Sequence, residues 1–142
     1  MTIDPTYLAH RLHKDFQLGT PTNMTLIYDS FPSISKDESG TVSYKDENCG
    51  ACFSYENATT TVFNEAQVLG RIFMDYLQPE LSPEQVGELE EFALELLMPD
   101  EDFRRACWTR ETDGDLDIEK VAQDFSVPRQ VAVRNAQRLN IV

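Results

Sequence analysis

Cysteine and histidine, which bind metals or carry out redox chemistry, are few in this chain of 142 residues: apart from Cys107, they occur in two close pairs. Cys49 and Cys52 form a C-x-x-C, which is half of a structural zinc site, and no second pair completes it. A redox C-x-x-C would stand at a helix N-terminus, whereas this one leads into a predicted strand. His10 and His13 share a predicted helix with no third ligand suggested nearby. We therefore interpret the cysteines as reduced thiols and the histidines as surface residues, and predict neither a metal nor a cofactor.

Carboxylates are abundant instead. The sequence has 25 Asp and Glu residues against 12 Lys and Arg, a net charge of −13 that disfavours contact with nucleic acid. Basic residues are absent between Arg71 and Arg104. A run of this kind either is a solvated face or binds a partner protein with a basic surface. The candidate partner-binding carboxylates are Asp75, Glu84, Glu91, Glu95, Asp100, Glu101 and Asp102.

Three arginines on the last predicted helix suggest a different kind of contact. Residues 118–125 and 129–139, joined by a short turn containing proline, predict a helix-turn-helix. Arg129, Arg134 and Arg138 lie on its second helix and are possible DNA-binding residues. The rest of the chain is strongly acidic, so packing of this element within the fold is the alternative that we prefer.

Two amphipathic helices in the middle of the chain must position most of these groups. Apolar residues recur with helical spacing over 66–77 and again over 86–97. An N-x-x-Q capping box at Asn64 begins the first helix, and a second start signal, with proline at the first helical position, begins at Ser82. Pro99 stands where the second helix should end. The two apolar stripes are available to pack on each other.

The remaining elements are short. The patterns predict a helix over residues 6–17, a short strand or helix over 24–28, a loop over 29–40, a hairpin of strands 41–44 and 51–55, and one or two helical turns over 101–109. The fold class is therefore α+β, mainly helical with a small antiparallel or mixed sheet.

The central helices resemble those of the ImmA/IrrE family of zinc metallopeptidases, whose members cleave repressor proteins in bacteria, phages and mobile elements. The second helix ends Phe92-Ala93-Leu94-Glu95-Leu96-Leu97-Met98-Pro99, which is similar to the family's F-A-x-x-L-L-M-P, and Phe125-Ser126-Val127-Pro128 is similar to its F-G-V-S. The resemblance implies a zincin-like domain over residues 1–112, with the helix-turn-helix-like element of residues 113–142 packed on it.

The zinc motif of that family is lost. Its first helix carries A-H-E-L-G-H, and alignment on Ala66 and Leu69-Gly70 places Gln67 and Arg71 at the two histidines and Val68 at the general base. Only the third ligand has a counterpart, Glu88. Arginine stays protonated and cannot coordinate a cation, and valine cannot accept a proton. The resemblance thus implies a vacated metal site with no catalytic residue.

Loss of the metal would leave Glu88 as an uncompensated anion, so we predict that Arg71 forms an ion pair with it. The alternative is that Arg71 is a surface residue on the outer side of its helix.

The function expected from this resemblance is that of a non-catalytic, regulatory protein-binding module, an antirepressor, adaptor or decoy for a helix-turn-helix repressor. The alternatives are an active zinc metallopeptidase with atypical ligands and a DNA-binding transcriptional regulator. The N-terminus lacks a signal-peptide pattern and no apolar run is long enough to span a bilayer, so we expect a cytoplasmic protein. The sequence leaves the oligomeric state and the partner open.

Overall fold

The computed structural model of the protein describes residues 4–46, 51–77 and 86–141, without the side chains of residues 51, 52, 76, 77 and 86 to 88. Its helices are α1 (Pro5–Asp15), α2 (Met24–Ser30), α3 (Val62–Ile72) with a following π-helical turn (Phe73–Leu77), α4 (Val86–Leu97), α5 (Asp100–Thr109), α6 (Ile118–Asp124) and α7 (Arg129–Arg138). Its strands are β1 (Ile34–Lys36), β2 (Val42–Asp46), β3 (Ala51–Tyr55), β4 (Glu111–Thr112) and β5 (Asp115–Leu116). Within the described ranges no helix has both the length and the apolar character needed to cross a bilayer.

The start of α3 differs from the prediction. Thr61, not Asn64, is the N-cap, and its hydroxyl accepts a hydrogen bond from the Asn64 backbone N–H at 3.0 Å. Asn64 lies in the first turn, where its side-chain amide donates to the Ala58 carbonyl oxygen at 3.0 Å. The N-x-x-Q pattern was misleading because Thr61, three residues earlier, already satisfies the first turn.

The strands β1, β2 and β3 form an antiparallel sheet in that order. The hairpin of β2 and β3 was predicted, whereas β1 falls in the segment expected to be loop. Ile34 pairs with Tyr44 across the β1–β2 ladder, and both side chains are buried beside Val42. A three-residue strand within a segment rich in serine and proline gives too short an alternation to be recognised from sequence. Residues 24–28, whose pattern allows either a short strand or a helix, belong to α2.

The core of the molecule is the packing of α1 and α3 against α4. Gly70 of α3 lies where a Cβ would be 2.7 Å from Cδ1 of Phe92 on α4, so the two helices approach closely at this point. Phe73 extends this contact to Phe31 with a ring-centroid distance of 4.9 Å. The Thr22 hydroxyl donates to the carbonyl oxygen of Leu96 at 2.9 Å, which satisfies an acceptor at the end of α4.

The C-terminal helices α6 and α7 pack on this core. Phe125 contacts Phe103 of α5 with ring centroids 5.8 Å apart. The buried Asn135 of α7 donates a hydrogen bond to the Met98 carbonyl oxygen at 3.3 Å, just beyond α4. The α+β, mainly helical fold is thereby confirmed, and the described part of the chain includes the helix-turn-helix-like element.

Candidate functional site

The positions that align with the zinc motif lie on the middle and last turns of α3. Gln67 and Arg71 are one turn apart on the same helix face, and both are half-buried. Val68 is also half-buried and packs against the hydrophobic core. The helix therefore presents an amide, an aliphatic group and a guanidinium where a metallopeptidase presents two imidazoles and a carboxylate.

Arg71 contacts a carboxylate on its own helix rather than standing alone. Its Nη1 lies 3.8 Å from Oδ2 of Asp75, in the π-helical turn that continues α3. About 40% of the Arg71 side chain is exposed, so the pair is partly solvated. The Glu88 side chain lies outside the described part of the structure, and the Arg71–Glu88 ion pair stays a prediction.

These groups do not fit a zinc ion. A guanidinium carries a permanent positive charge and no lone pair for a metal, and the aliphatic Val68 offers neither a ligand nor a base. Over the described ranges, no cluster of three or more His, Cys, Asp or Glu side chains could hold a metal. No catalytic step through zinc follows from this arrangement.

The histidines were predicted to be surface residues, and one of them is not. His13 is buried, with Nε2 2.9 Å from the Gly19 carbonyl oxygen, and burial lowers its pKa. His10 is partly exposed, and its Nδ1 lies 3.7 Å from Oε1 of Glu95. Of the cysteines, Cys107 is a buried free thiol whose pKa burial raises to about 11. Cys49 and the side chain of Cys52 lie outside the described part of the structure, so the C-x-x-C interpretation stays a prediction.

Glu95 is the main departure from the predicted acidic surface. It is only 2% exposed, and its Oε2 accepts a hydrogen bond from Nη2 of Arg138 at 3.0 Å. The backbone N–H of Asp100 donates to the same oxygen at 3.1 Å, so the carboxylate also caps the start of α5. Burial raises the pKa of Glu95, an effect that Arg138 opposes. Glu95 therefore ties α7 to α4 and α5 and is not available to a partner.

The other predicted partner-binding carboxylates are more accessible. Glu91 and Glu101 are exposed, and Asp100 and Asp102 form ion pairs with Arg104 and Arg105 of the same helix. Glu84 lies outside the described residues. Fewer carboxylates are therefore available to a partner than the sequence suggested, because several of them already lie beside cationic side chains.

The arginines of α7 are also engaged within the fold. The Arg138 side chain is only 15% exposed and is held by Glu95. Arg134 donates to Glu90 of α4 at 3.2 Å, and Arg129 lies 3.8 Å from Glu119. This favours the alternative that the helix-turn-helix-like element packs on the domain over the alternative that it reads DNA.

One buried polar network was missed by the sequence reasoning. Glu65 is 6% exposed, accepts a hydrogen bond from the Tyr28 hydroxyl at 2.6 Å and lies 3.3 Å from Nζ of Lys36. Burial and the neighbouring carboxylate raise the pKa of Tyr28. The network joins α2, β1 and α3 immediately before the positions that align with the zinc motif. Its only sequence signal was a glutamate on the apolar side of α3.

Comparison with known families agrees with this architecture. The model of the peptidase M78 family, described as the IrrE N-terminal-like domain, matches residues 65–137, which is just over half of the chain. Neither a curated protein nor a solved structure gave a match. The matched span begins on α3, contains α4 and α5 and reaches the last turn of α7. The predicted resemblance is confirmed, and the chain belongs to the IrrE N-terminal-like family of metallopeptidase-like domains.

Proposed function

We propose that the protein is a non-catalytic member of its family that binds a regulatory protein without cleaving it. The observation that carries this proposal is Arg71, a permanently charged side chain at a ligand position of α3. A cation at this position repels Zn²⁺, and its neighbour Val68 has no group to activate water. Next to these residues α3 nevertheless packs closely on α4, where Gly70 meets the ring of Phe92.

The partner class follows from the family and from charge. Active relatives recognise helix-turn-helix repressors, and such proteins are commonly basic where they meet DNA. The net charge of −13 and the exposed carboxylates of Glu91 and Glu101 suit a surface of that kind. Binding a repressor without cutting it would make the protein an antirepressor, adaptor or decoy.

Metal analysis of untagged protein tests the loss of catalysis. We expect no stoichiometric zinc after purification in zinc-containing buffer. Mass spectrometry should detect no cleavage of a helix-turn-helix regulator incubated with the protein. Peptide cleavage that a chelator abolishes would show that the protein is an active enzyme and the proposal wrong. One zinc ion per chain would contradict the argument that Arg71 keeps the metal out of this site.

Rebuilding the zinc motif supplies a positive control. The triple variant Gln67→His, Val68→Glu, Arg71→His restores H-E-x-x-H on α3 and should gain zinc, with Glu88 as the expected third ligand. The matched variant Gln67→His, Val68→Gln, Arg71→His keeps the imidazoles but lacks a base, so it should bind zinc without hydrolysis. Failure of both folded variants to bind zinc would contradict the assignment of α3 as the former metal helix.

Binding is tested separately with purified helix-turn-helix regulators from the same host. Light scattering should detect a complex at low salt, and the complex should change the affinity of the regulator for its operator. If none of these regulators forms a complex, the regulatory part of the proposal fails.

A further inference from the structure

A large aromatic side chain is exposed at the end of α5. Trp108 is the single tryptophan of the sequence, and 80% of its surface is accessible. It lines a cleft of about 430 Å³ beside the β4–β5 hairpin, hereafter the Trp108 cleft. The buried Cys107 and the half-buried Leu116 and Ile141 also line it. The cleft therefore offers an aromatic face and apolar walls to a side chain from another molecule.

The charge of the Trp108 cleft is negative. The cleft is lined by two exposed carboxylate residues, Glu111 and Asp115, which lie at the two ends of the β4–β5 ladder. Neither forms a salt bridge within the described part of the chain. Arg104 lines it as well, but its guanidinium pairs with Asp100 and donates to the Leu139 carbonyl oxygen at 3.1 Å. The two free carboxylates therefore set the local field.

We propose that the Trp108 cleft binds an arginine side chain of a basic protein partner. Arginine combines an apolar stem, which suits the cleft walls, with a planar cation that stacks on an indole face. Its guanidinium would lie against Trp108 and donate to Glu111 or Asp115. The net charge of −13 disfavours both a second copy of this acidic chain and any other anionic partner. This inference rests on the proposed function and supplies its contact surface.

Because Trp108 is the only tryptophan, its fluorescence reports on the cleft directly. The probe is a short peptide of alternating arginine and alanine, used unlabelled for Trp108 fluorescence and labelled with fluorescein for anisotropy. The control is the same peptide with citrulline in place of arginine, which has nearly the shape of arginine but no charge. We expect the unlabelled arginine peptide to change Trp108 emission saturably at low salt, and the citrulline peptide to have little effect.

Variants then separate the cleft from general electrostatics. Trp108→Ala removes an exposed side chain and should weaken binding of the labelled peptide about five- to thirtyfold, measured by anisotropy. Glu111→Gln with Asp115→Asn should weaken it to a similar extent. The matched control is Glu38→Gln with Glu56→Gln, which removes the same charge from exposed residues beside the three-stranded sheet and should change affinity less than about twofold. Circular dichroism checks that each variant is folded.

Equal weakening by the cleft pair and the control pair, or unchanged affinity in Trp108→Ala, would overturn the proposal, as would the absence of any binding by the arginine peptide. These results do not bear on the zinc measurements, which test the proposed function. A helix-turn-helix regulator that binds the wild type and Trp108→Ala equally well would keep the proposed function and reject the cleft as its contact surface.

Discussion

Replacing Arg138 by methionine should expose the energetic role of the ion pair that holds α7 on the domain. Methionine is uncharged and about as long as the apolar stem of arginine, so the variant keeps the packing of the stem while removing the donor 3.0 Å from Glu95. The Glu95 carboxylate, whose side chain is 3% exposed, then keeps the Asp100 backbone N–H but loses its neutralising guanidinium. A buried charge that loses its counter-ion is strongly destabilising.

The expected cost is about 3–5 kcal/mol at neutral pH, the range for breaking one partner of a buried pair. A domain of this size is typically stable by about 5–15 kcal/mol, so the change is a large part of the total. The corresponding decrease in Tm is on the order of 10–15 °C. The double variant Glu95→Leu, Arg138→Met should recover part of this loss, because it removes both charges. Recovery stays incomplete because the Asp100 backbone N–H and the Asn135 side-chain oxygen lose their partners.

The loss should depend on pH in a defined direction. Burial raises the pKa of Glu95, so over the range just above the usual carboxyl pKa the native state binds a proton that the unfolded chain has released. The contribution of this group to stability is therefore greatest at low pH and is lost as pH rises through the raised pKa. Arg138 opposes the rise in the pKa of Glu95. Without Arg138, the pH range over which Glu95 loses its contribution to stability extends to higher pH. The difference between wild type and Arg138→Met should then be largest near neutrality and become smaller toward acid pH.

Urea unfolding followed by circular dichroism, at neutral pH and again near pH 5, measures these differences. The control is Arg129→Met on the same helix, whose side chain is 62% exposed and which should change the free energy of unfolding by less than about 0.5 kcal/mol. A loss of less than about 1 kcal/mol for Arg138→Met, or a difference that grows toward acid pH, would refute the assignment of Glu95 as a buried, charge-compensated carboxylate.

Substitutions at three further positions test the packing around α3 by thermal or urea unfolding. Gly70→Ala should destabilise by about 1–3 kcal/mol although alanine is the better helix former, because its Cβ meets the ring of Phe92; a neutral or stabilising result would contradict this contact. Tyr28→Phe removes the hydrogen bond to Glu65 and should cost about 1–3 kcal/mol, and an unchanged stability would mean that the network is solvated. Thr61→Ala should cost about 1 kcal/mol and Thr61→Ser almost nothing, whereas equal effects would argue against Thr61 as the N-cap.

Local patterns predicted the helices well because each rests on its own periodicity and on nearby stop signals. The helix that stops before Pro99 and the two helices at the C-terminus follow from residues within one or two turns of each boundary. Errors arose where the deciding partner is distant or the element is short. The strand at Ile34 depends on pairing with Tyr44, which a three-residue pattern cannot reveal.

The charged residues show the same limit more strongly. Arg134 and Arg138 are four residues apart and look equivalent in the sequence, yet their side chains are 53% and 15% exposed. Glu91 and Glu95 have the same spacing on α4, and one is exposed whereas the other is buried. Burial of a charge depends on which residue of a distant helix lies opposite it, and sequence spacing within one helix does not contain that information.

Residues that pack α3 against α4 match the family motif, whereas the residues at the ligand positions differ from it. Gly70 and Phe92 match the motif, and α3 and α4 approach each other closely where these two residues meet. The differences fall on Gln67, Val68 and Arg71, where the motif needs ligands and a base. Substitutions in the core are the more damaging to stability, so packing residues are kept where the chain must stay folded. A chain without that constraint would be expected to lose them as readily as the ligands. Retention of the close helix contact beside a replaced ligand set therefore agrees with the proposed non-catalytic role.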